Sequence, residues 1–129
     1  MNEKLNILLL DDNKATNFLH TQYLKRHDGV GEVEAFQKGI SALEMLKQTD
    51  TYPDIMFLDI NMPSMDAWEF LDELRKLNLE LSAAIYLLTT TISPQDKEKM
   101  QNYPELSEIL FKPLDSTVIK SILTKNFSA

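Results

Sequence analysis

Five side chains with complementary chemistry stand at or just beyond the ends of short apolar runs. Asp11 and Asp12 follow Leu5–Leu10, Asp59 follows residues 55–58, Thr89 closes Ala84–Thr89, and Lys112 follows residues 109–111. If those runs are strands of one open parallel sheet, their carboxyl ends share the edge where sites form in such sheets. Three carboxylates, a hydroxyl and an ammonium would then converge. Crowded carboxylates repel one another and raise each other's pKa, so a cluster of three needs a cation to stay ionised. The chain has no cysteine and no clustered histidines, and hard oxygen donors select magnesium or manganese over zinc or copper.

Magnesium takes about six oxygens and keeps several waters. That suits Asp12 and Asp59 as direct ligands, Asp11 as the holder of a bound water, and the backbone carbonyl of Asn61 as a further ligand. Such an ion can neutralise charge while an aspartate attacks phosphorus, which makes Asp59 the candidate nucleophile. Lys112 adds a second positive partner for a phosphoryl group, and Thr89 a hydroxyl donor to one of its oxygens. Taken singly, these residues have blander readings. Asp-Asp-Asn is an ordinary turn, a strand-end threonine satisfies its hydroxyl locally, and a lysine before a proline is usually solvated. Only their joint placement favours a site.

The elements that must position these residues alternate short apolar runs with longer segments of helical period, the pattern of a β/α fold with a parallel sheet. Leu5–Leu10 reads as the first strand, followed by a helix over about 14–26 with Ala15, Phe18, Leu19 and Tyr23 on one face. Gly29 and Gly31 mark a turn before a second strand over 33–36. Ile40, Leu43 and Leu46 stripe a second helix that ends before Tyr52-Pro53. Beyond the third strand, 55–58, and the loop 61–66, the residues Ala67, Phe70, Leu71, Leu74 and Leu77 turn a third helix towards the sheet.

The fourth strand, Ala84–Thr89, leads to a helix start in which Ser93 caps, Pro94 takes the first helical position and Asp96 favours the positive end of the dipole. From Lys97 to Asn102 only Met100 is apolar, so this helix buries little and is the least firmly anchored of the set. The last strand, 109–111, precedes a fifth helix with Leu114, Val118, Ile119, Ile122 and Leu123 on its apolar face. Trp68, Met62 and Met65 read as packing residues, and His20 and His27 as exposed side chains and not as a metal pair.

Composition sets outer bounds. A chain of 129 residues suits one domain spanning 1–129, with no room for an output domain. Hydrophobic residues at 43% and charged residues at 26% predict a packed core and exclude a disordered chain. The excess of 20 acidic over 13 basic residues gives a net charge of -7, which repels phosphate backbones and anionic lipid surfaces. Neither nucleic-acid nor membrane binding is expected. The longest apolar runs fall far below the ~20 residues of a membrane span. The start, Met1-Asn2-Glu3-Lys4, has no signal-peptide character, so a cytoplasmic protein is expected. No repeat, low-complexity tract or flexible linker divides the chain.

Four stretches, Ile7-Leu8-Leu9-Leu10-Asp11-Asp12-Asn13, Leu58-Asp59-Ile60-Asn61-Met62-Pro63-Ser64-Met65-Asp66, Leu88-Thr89-Thr90 and Phe111-Lys112-Pro113, occur in the order and spacing of one family. The chain resembles, over essentially its whole length, the receiver domains of two-component response regulators. The resemblance implies a flavodoxin-like, doubly wound α/β fold: five parallel strands in the order 2-1-3-4-5 with helices on both faces. It implies Asp59 as phosphoacceptor, Asp11 and Asp12 as the acidic magnesium pair, Thr89 as switch hydroxyl and Lys112 as the lysine that meets the phosphoryl group. It further implies a histidine kinase or histidine phosphotransfer protein as donor, and a downstream protein met through the fourth helix, last strand and fifth helix. The chain is then a self-modifying switch that turns over no substrate.

Three positions depart from the family pattern. Ile109 stands where a tyrosine or phenylalanine is usual, three residues before the lysine, so the aromatic part of the switch is missing. Ala67 replaces a glycine after Met65-Asp66, so the backbone there must suit a residue with a Cβ. Thr90 is larger than the usual alanine or glycine after the switch hydroxyl and is expected to slow the approach of small phosphodonors. Other classes fit less well. A silent pseudo-receiver would not need all of Asp11, Asp12, Asp59, Thr89 and Lys112. A haloacid-dehalogenase-type phosphatase would need aspartate at Asn13, and the three glycines form no phosphate-cradling loop of a nucleotide or flavin binder.

Overall fold

The alternation of apolar runs and helical segments is realised as five strand–helix units in a computed structural model that describes residues 4–127. The strands are β1 (Leu5–Leu10), β2 (Val30–Phe36), β3 (Ile55–Asp59), β4 (Ala84–Thr89) and β5 (Leu106–Phe111). The helices are α1 (Lys14–Lys25), α2 (Gly39–Gln48), α3 (Ala67–Leu77), α4 (Pro94–Met100) and α5 (Ser116–Phe127). All strand pairs are parallel, in the order β2-β1-β3-β4-β5.

Side chains alternate across a strand, so each central strand feeds two cores. Leu8, Leu10, Met56, Leu58, Ile85 and Leu87 pack with residues of α2 and α3 on one face. Ile7, Leu9, Ile55, Phe57, Tyr86 and Leu88 pack with α1 and α5 on the other. Burial on both faces explains why β1, β3 and β4 read as unbroken apolar runs.

Register decides what meets at the carboxyl edge. Leu10 of β1 lies beside Leu58 of β3, which sets Asp11 next to Asp59. Asp59 pairs with Leu88 of β4, and Thr89 pairs with Phe111 of β5, so Thr89 and Lys112 follow one step further along. The Lys112 N–H donates to the Thr89 carbonyl at 2.8 Å.

Several elements differ from the sequence expectation. β2 begins at Val30, not at residue 33, because Gly31 belongs to the strand and not to the turn. A Cβ on Gly31 would lie 2.6 Å from Asn6 Oδ1, which accepts the Glu32 N–H at 3.0 Å, so glycine lets β1 and β2 close at this irregular register. β5 begins at Leu106, earlier than 109, since Ser107 and Glu108 on this edge strand face water and hide the apolar signal.

The expected apolar face of α1 is wrong. Phe18 is 66% exposed and Leu19 41%, while Asn17, His20 and Leu24 are buried. His20, expected on the surface, is only 2% exposed. Asn13 caps the helix, accepting the Thr16 N–H at 3.0 Å, and this phase turns two polar side chains inward to backbone partners that periodicity cannot see. In α2, Ile40 is exposed and Ala42 takes its place in the core.

Other expectations hold. Trp68 and Met62 are buried, Met65 packs against the same core, and α4 has no buried residue, with the Ser93 cap and Pro94 where they were expected. Ala67 creates no strain: it is the first residue of α3, behind a capping box in which Asp66 and Glu69 bond each other's backbone N–H. Among the described residues only Asn78, at the end of α3, has a left-handed backbone, with φ 51°.

Candidate functional site

At the carboxyl edge of the sheet, three loops deliver charge to one point. Lys112 Nζ lies 2.7 Å from Asp11 Oδ2 and 3.2 Å from Asp59 Oδ1. Asp11, Asp12 and Asp59 each offer a carboxylate oxygen within 4.8 Å of the others. Asp11 and Asp59 are buried, whereas Asp12 is exposed. The sequence-predicted Asp11, Asp12, Asp59 and Lys112 are therefore brought together.

Thr89 stands at the same edge and is buried, but its hydroxyl points along its own loop, donating to the Thr91 carbonyl at 2.6 Å. Asn61 is exposed two residues past Asp59, and its N–H reaches Asp59 Oδ1 at 3.4 Å. Thr90 is exposed beside Thr89, and Ile109 is half-buried against the core on the α2–α3 side of the sheet.

The electrostatics are unbalanced. Three carboxylates face one ammonium, and two of the carboxylates have lost most of their water. Burial, and then the charge of Asp11, raise the Asp59 carboxyl above its usual value, with Lys112 pulling in the opposite direction. For Lys112 burial is the largest single influence and acts downward, but close contact with Asp11 and the charge of Asp59 outweigh it, and the net shift is upward. Lys112 therefore stays charged while the acids remain under-neutralised.

A hard divalent cation fits this donor set. Every candidate ligand is an oxygen, and the single Lys112 ammonium, 2.7 Å from Asp11 Oδ2 and 3.2 Å from Asp59 Oδ1, cannot balance three carboxylates. A cation here would also draw the Asp59 carboxyl back down and keep it ionised.

Sequence reasoning missed two residues that organise the site from beneath. Asn17 donates through Nδ2 to the Asp11 carbonyl at 2.9 Å and to the Phe36 carbonyl at 3.1 Å. His20 accepts the Leu114 N–H on Nε2 at 3.2 Å. The only signal in the chain was polarity at the inward phase of α1, which the neighbouring Phe18 and Leu19 masked.

The fold and the edge site together define a doubly wound α/β domain with an acid–lysine centre at the carboxyl edge of its sheet. Known proteins agree. The family model for the response regulator receiver domain matches residues 7–124. A two-component response regulator of Cytophaga hutchinsonii superposes with TM-score 0.88 at 25% identity, covering 98% of this chain and 100% of that one. The chemotaxis protein CheY4 of Vibrio cholerae gives TM-score 0.80 at 25% identity, covering 95% and 98%. Among curated proteins, the sensor histidine kinase CheAY of Helicobacter pylori is 28% identical over 93% of this chain, which spans 15% of that protein's length.

The chain belongs to the response regulator receiver family, signalling domains whose general function is to accept a phosphoryl group on an aspartate in two-component systems. Magnesium binding at an acidic pocket is general to the family, and Asp11, Asp12 and Asp59 form such a pocket here. No described helix is long and apolar enough to cross a membrane.

Proposed function

We propose that Asp59 is the phosphoacceptor of a single receiver unit spanning 1–129, phosphorylated by a histidine kinase or histidine phosphotransfer protein. The convergence of Lys112 and three aspartates on one point is the observation that supports this reading most directly. An Asp59 oxygen attacks phosphorus, the new O–P bond forms as the donor's P–N bond breaks, and the imidazole leaves with the bonding electrons. Lys112 meets the incoming phosphoryl oxygens with positive charge. Thr89 exchanges its bond to the Thr91 carbonyl for one to a phosphoryl oxygen, which frees the loop that leads into α4.

Magnesium, or manganese, supplies charge neutralisation when bound, held directly by Asp12 and Asp59, through water by Asp11, and by the Asn61 carbonyl. The domain modifies itself and turns over no substrate. Its signal leaves through a protein partner on the face of α4, β5 and α5, where Phe111 is 58% exposed, or by passing the phosphoryl group on. A cytoplasmic location fits such partners.

Intact-mass measurement after incubation with magnesium and acetyl phosphate tests the assignment. One added phosphoryl mass on the wild type and none on Asp59→Asn is the expected result; no gain on the wild type, or equal gain on both, overturns it. Exposed Thr90 stands next to the proposed switch hydroxyl, so Thr90→Ala is expected to gain that mass faster from acetyl phosphate. Equal rates would remove Thr90 as an obstacle to small donors.

A further inference from the structure

A helix packed on a sheet normally turns apolar side chains inward, and burying a polar one costs free energy unless every group is matched. α1 buries Asn17 and His20, one helical step apart on the same face. Asn17 is not fully matched: its Oδ1 has no hydrogen-bond partner among the described residues. Its Nδ2, by contrast, meets two backbone carbonyls, so the side chain is held inward by what it donates to.

The consequence is visible in what the two side chains hold. Asn17 Nδ2 grips the carbonyl of Asp11, the peptide that joins the two acidic residues, and ties it to the Phe36 carbonyl at the end of β2. The Asp11 N–H donates to the same Phe36 carbonyl at 3.0 Å, so the acidic turn is pinned on both sides of Asp11. His20 Nε2 holds the Leu114 N–H, two residues beyond Lys112, in a loop also tied by the Lys112 N–H to the Thr89 carbonyl. One helix therefore grips both the segment that carries Asp11 and Asp12 and the segment that carries Lys112.

We propose that Asn17 and His20 are positioning residues through which α1 sets the acidic turn and the lysine loop against each other for phosphoryl capture. This rests on the reading of Asp59 as phosphoacceptor. Asn17 acts on the metal-binding side, because it orients the peptide between Asp11 and Asp12. His20 acts on the phosphoryl side, because it orients the loop of Lys112.

The two roles separate by experiment, using the magnesium dissociation constant from titration calorimetry and the initial rate of mass gain from acetyl phosphate at saturating magnesium. Partners that orient metal ligands are typically worth roughly 10–100-fold in metal affinity or activity, so Asn17→Leu is expected to weaken magnesium about tenfold. His20→Leu is expected to keep magnesium affinity within about twofold and to slow mass gain roughly tenfold, again the size of such orienting contacts. His20→Gln, whose Oε1 can accept the Leu114 N–H, restores the rate. Folded Asn17→Leu and His20→Leu with wild-type affinity and rate, whatever their melting temperatures, overturn the proposal, as does His20→Gln as slow as His20→Leu. If Asn17→Leu fails to fold, Asn17→Ala reads the same affinity. A wild type that gains no phosphoryl mass sinks the phosphoacceptor reading, whereas wild-type gain with indifferent variants sinks this inference alone.

Discussion

Asp59 is buried, and the nucleophilic role proposed for it needs an ionised carboxylate, so without a cation those demands conflict. Burial and the Asp11 charge hold its carboxyl above the ordinary 3.8, so the folded state resists its ionisation. A carboxyl with a raised folded pKa stabilises the fold most below pH 3.8, and that contribution is lost as pH rises through the folded value. At neutral pH in metal-free buffer, Asp59→Asn is therefore expected to melt a few degrees above wild type; a lower melting temperature would show that the Lys112 ion pair outweighs burial. His20 carries the opposite sign. Burial lowers it below 6.5, the Lys112 charge adds to that, and Asp11 opposes. The unfolded chain then binds the proton more readily, so stability holds above pH 6.5 and falls as pH drops towards the folded value. Denaturant midpoints measured against pH should fall below that point in wild type and fall less in His20→Gln; parallel curves would assign the loss to other groups.

At the scale of elements, α4 is the exception. The other helices each bury residues fully, but α4 has none fully buried: half-buried Met100 is its contact with the core, and polar contacts from α3 and from the segment that links it to β5 hold the rest. Trp68 Nε1 donates to Asp96 at 3.3 Å, the Trp68 ring lies 5.2 Å from that of Tyr103, and the Tyr103 hydroxyl donates to Asp72 at 2.7 Å. Arg75 adds a two-point bond to Glu105, at 2.7 and 2.8 Å, beyond the end of the helix. Contacts of this exposed, polar kind contribute little each, so α4 sits at the low end of local stability. Trp68→Phe keeps a ring but loses the Asp96 bond, and hydrogen exchange should accelerate at the amides of α4 while β1 and β3 stay protected. Uniform acceleration across the sheet would mean that Trp68 serves the core and not the helix. The polarity of α4 and its Ser93-Pro94 start were legible in the sequence because capping and propensity are local. The inward face of α1 was not, because Asn17 Nδ2 and His20 Nε2 meet carbonyl and N–H groups of Asp11, Phe36 and Leu114, which only the folded chain brings near.

Across the whole molecule, the strands were legible wherever both faces are buried, and their ends placed Asp11, Asp12, Asp59 and Lys112 correctly, since parallel strands align their carboxyl edges. Edge strands β2 and β5 were read short because water covers part of each and interrupts the apolar run with Glu32, Ser107 and Glu108. The same sheet that aligns the acids also concentrates their repulsion in a chain already at net charge -7. A divalent cation that binds only the folded arrangement must then stabilise the whole domain by mass action, by about 2.7 kcal/mol at one hundred times its dissociation constant. Magnesium is expected to raise the melting temperature of wild type in steps that follow its concentration, and chelation to reverse the gain. Sodium chloride at matched ionic strength should give only the smaller, general screening effect. Asp12→Asn keeps the buried Asp11–Lys112–Asp59 contacts but removes the exposed carboxylate proposed as a ligand, so its folded state should survive while its magnesium response flattens. An undiminished response in that variant would place the cation elsewhere and break the link between sheet register and metal binding.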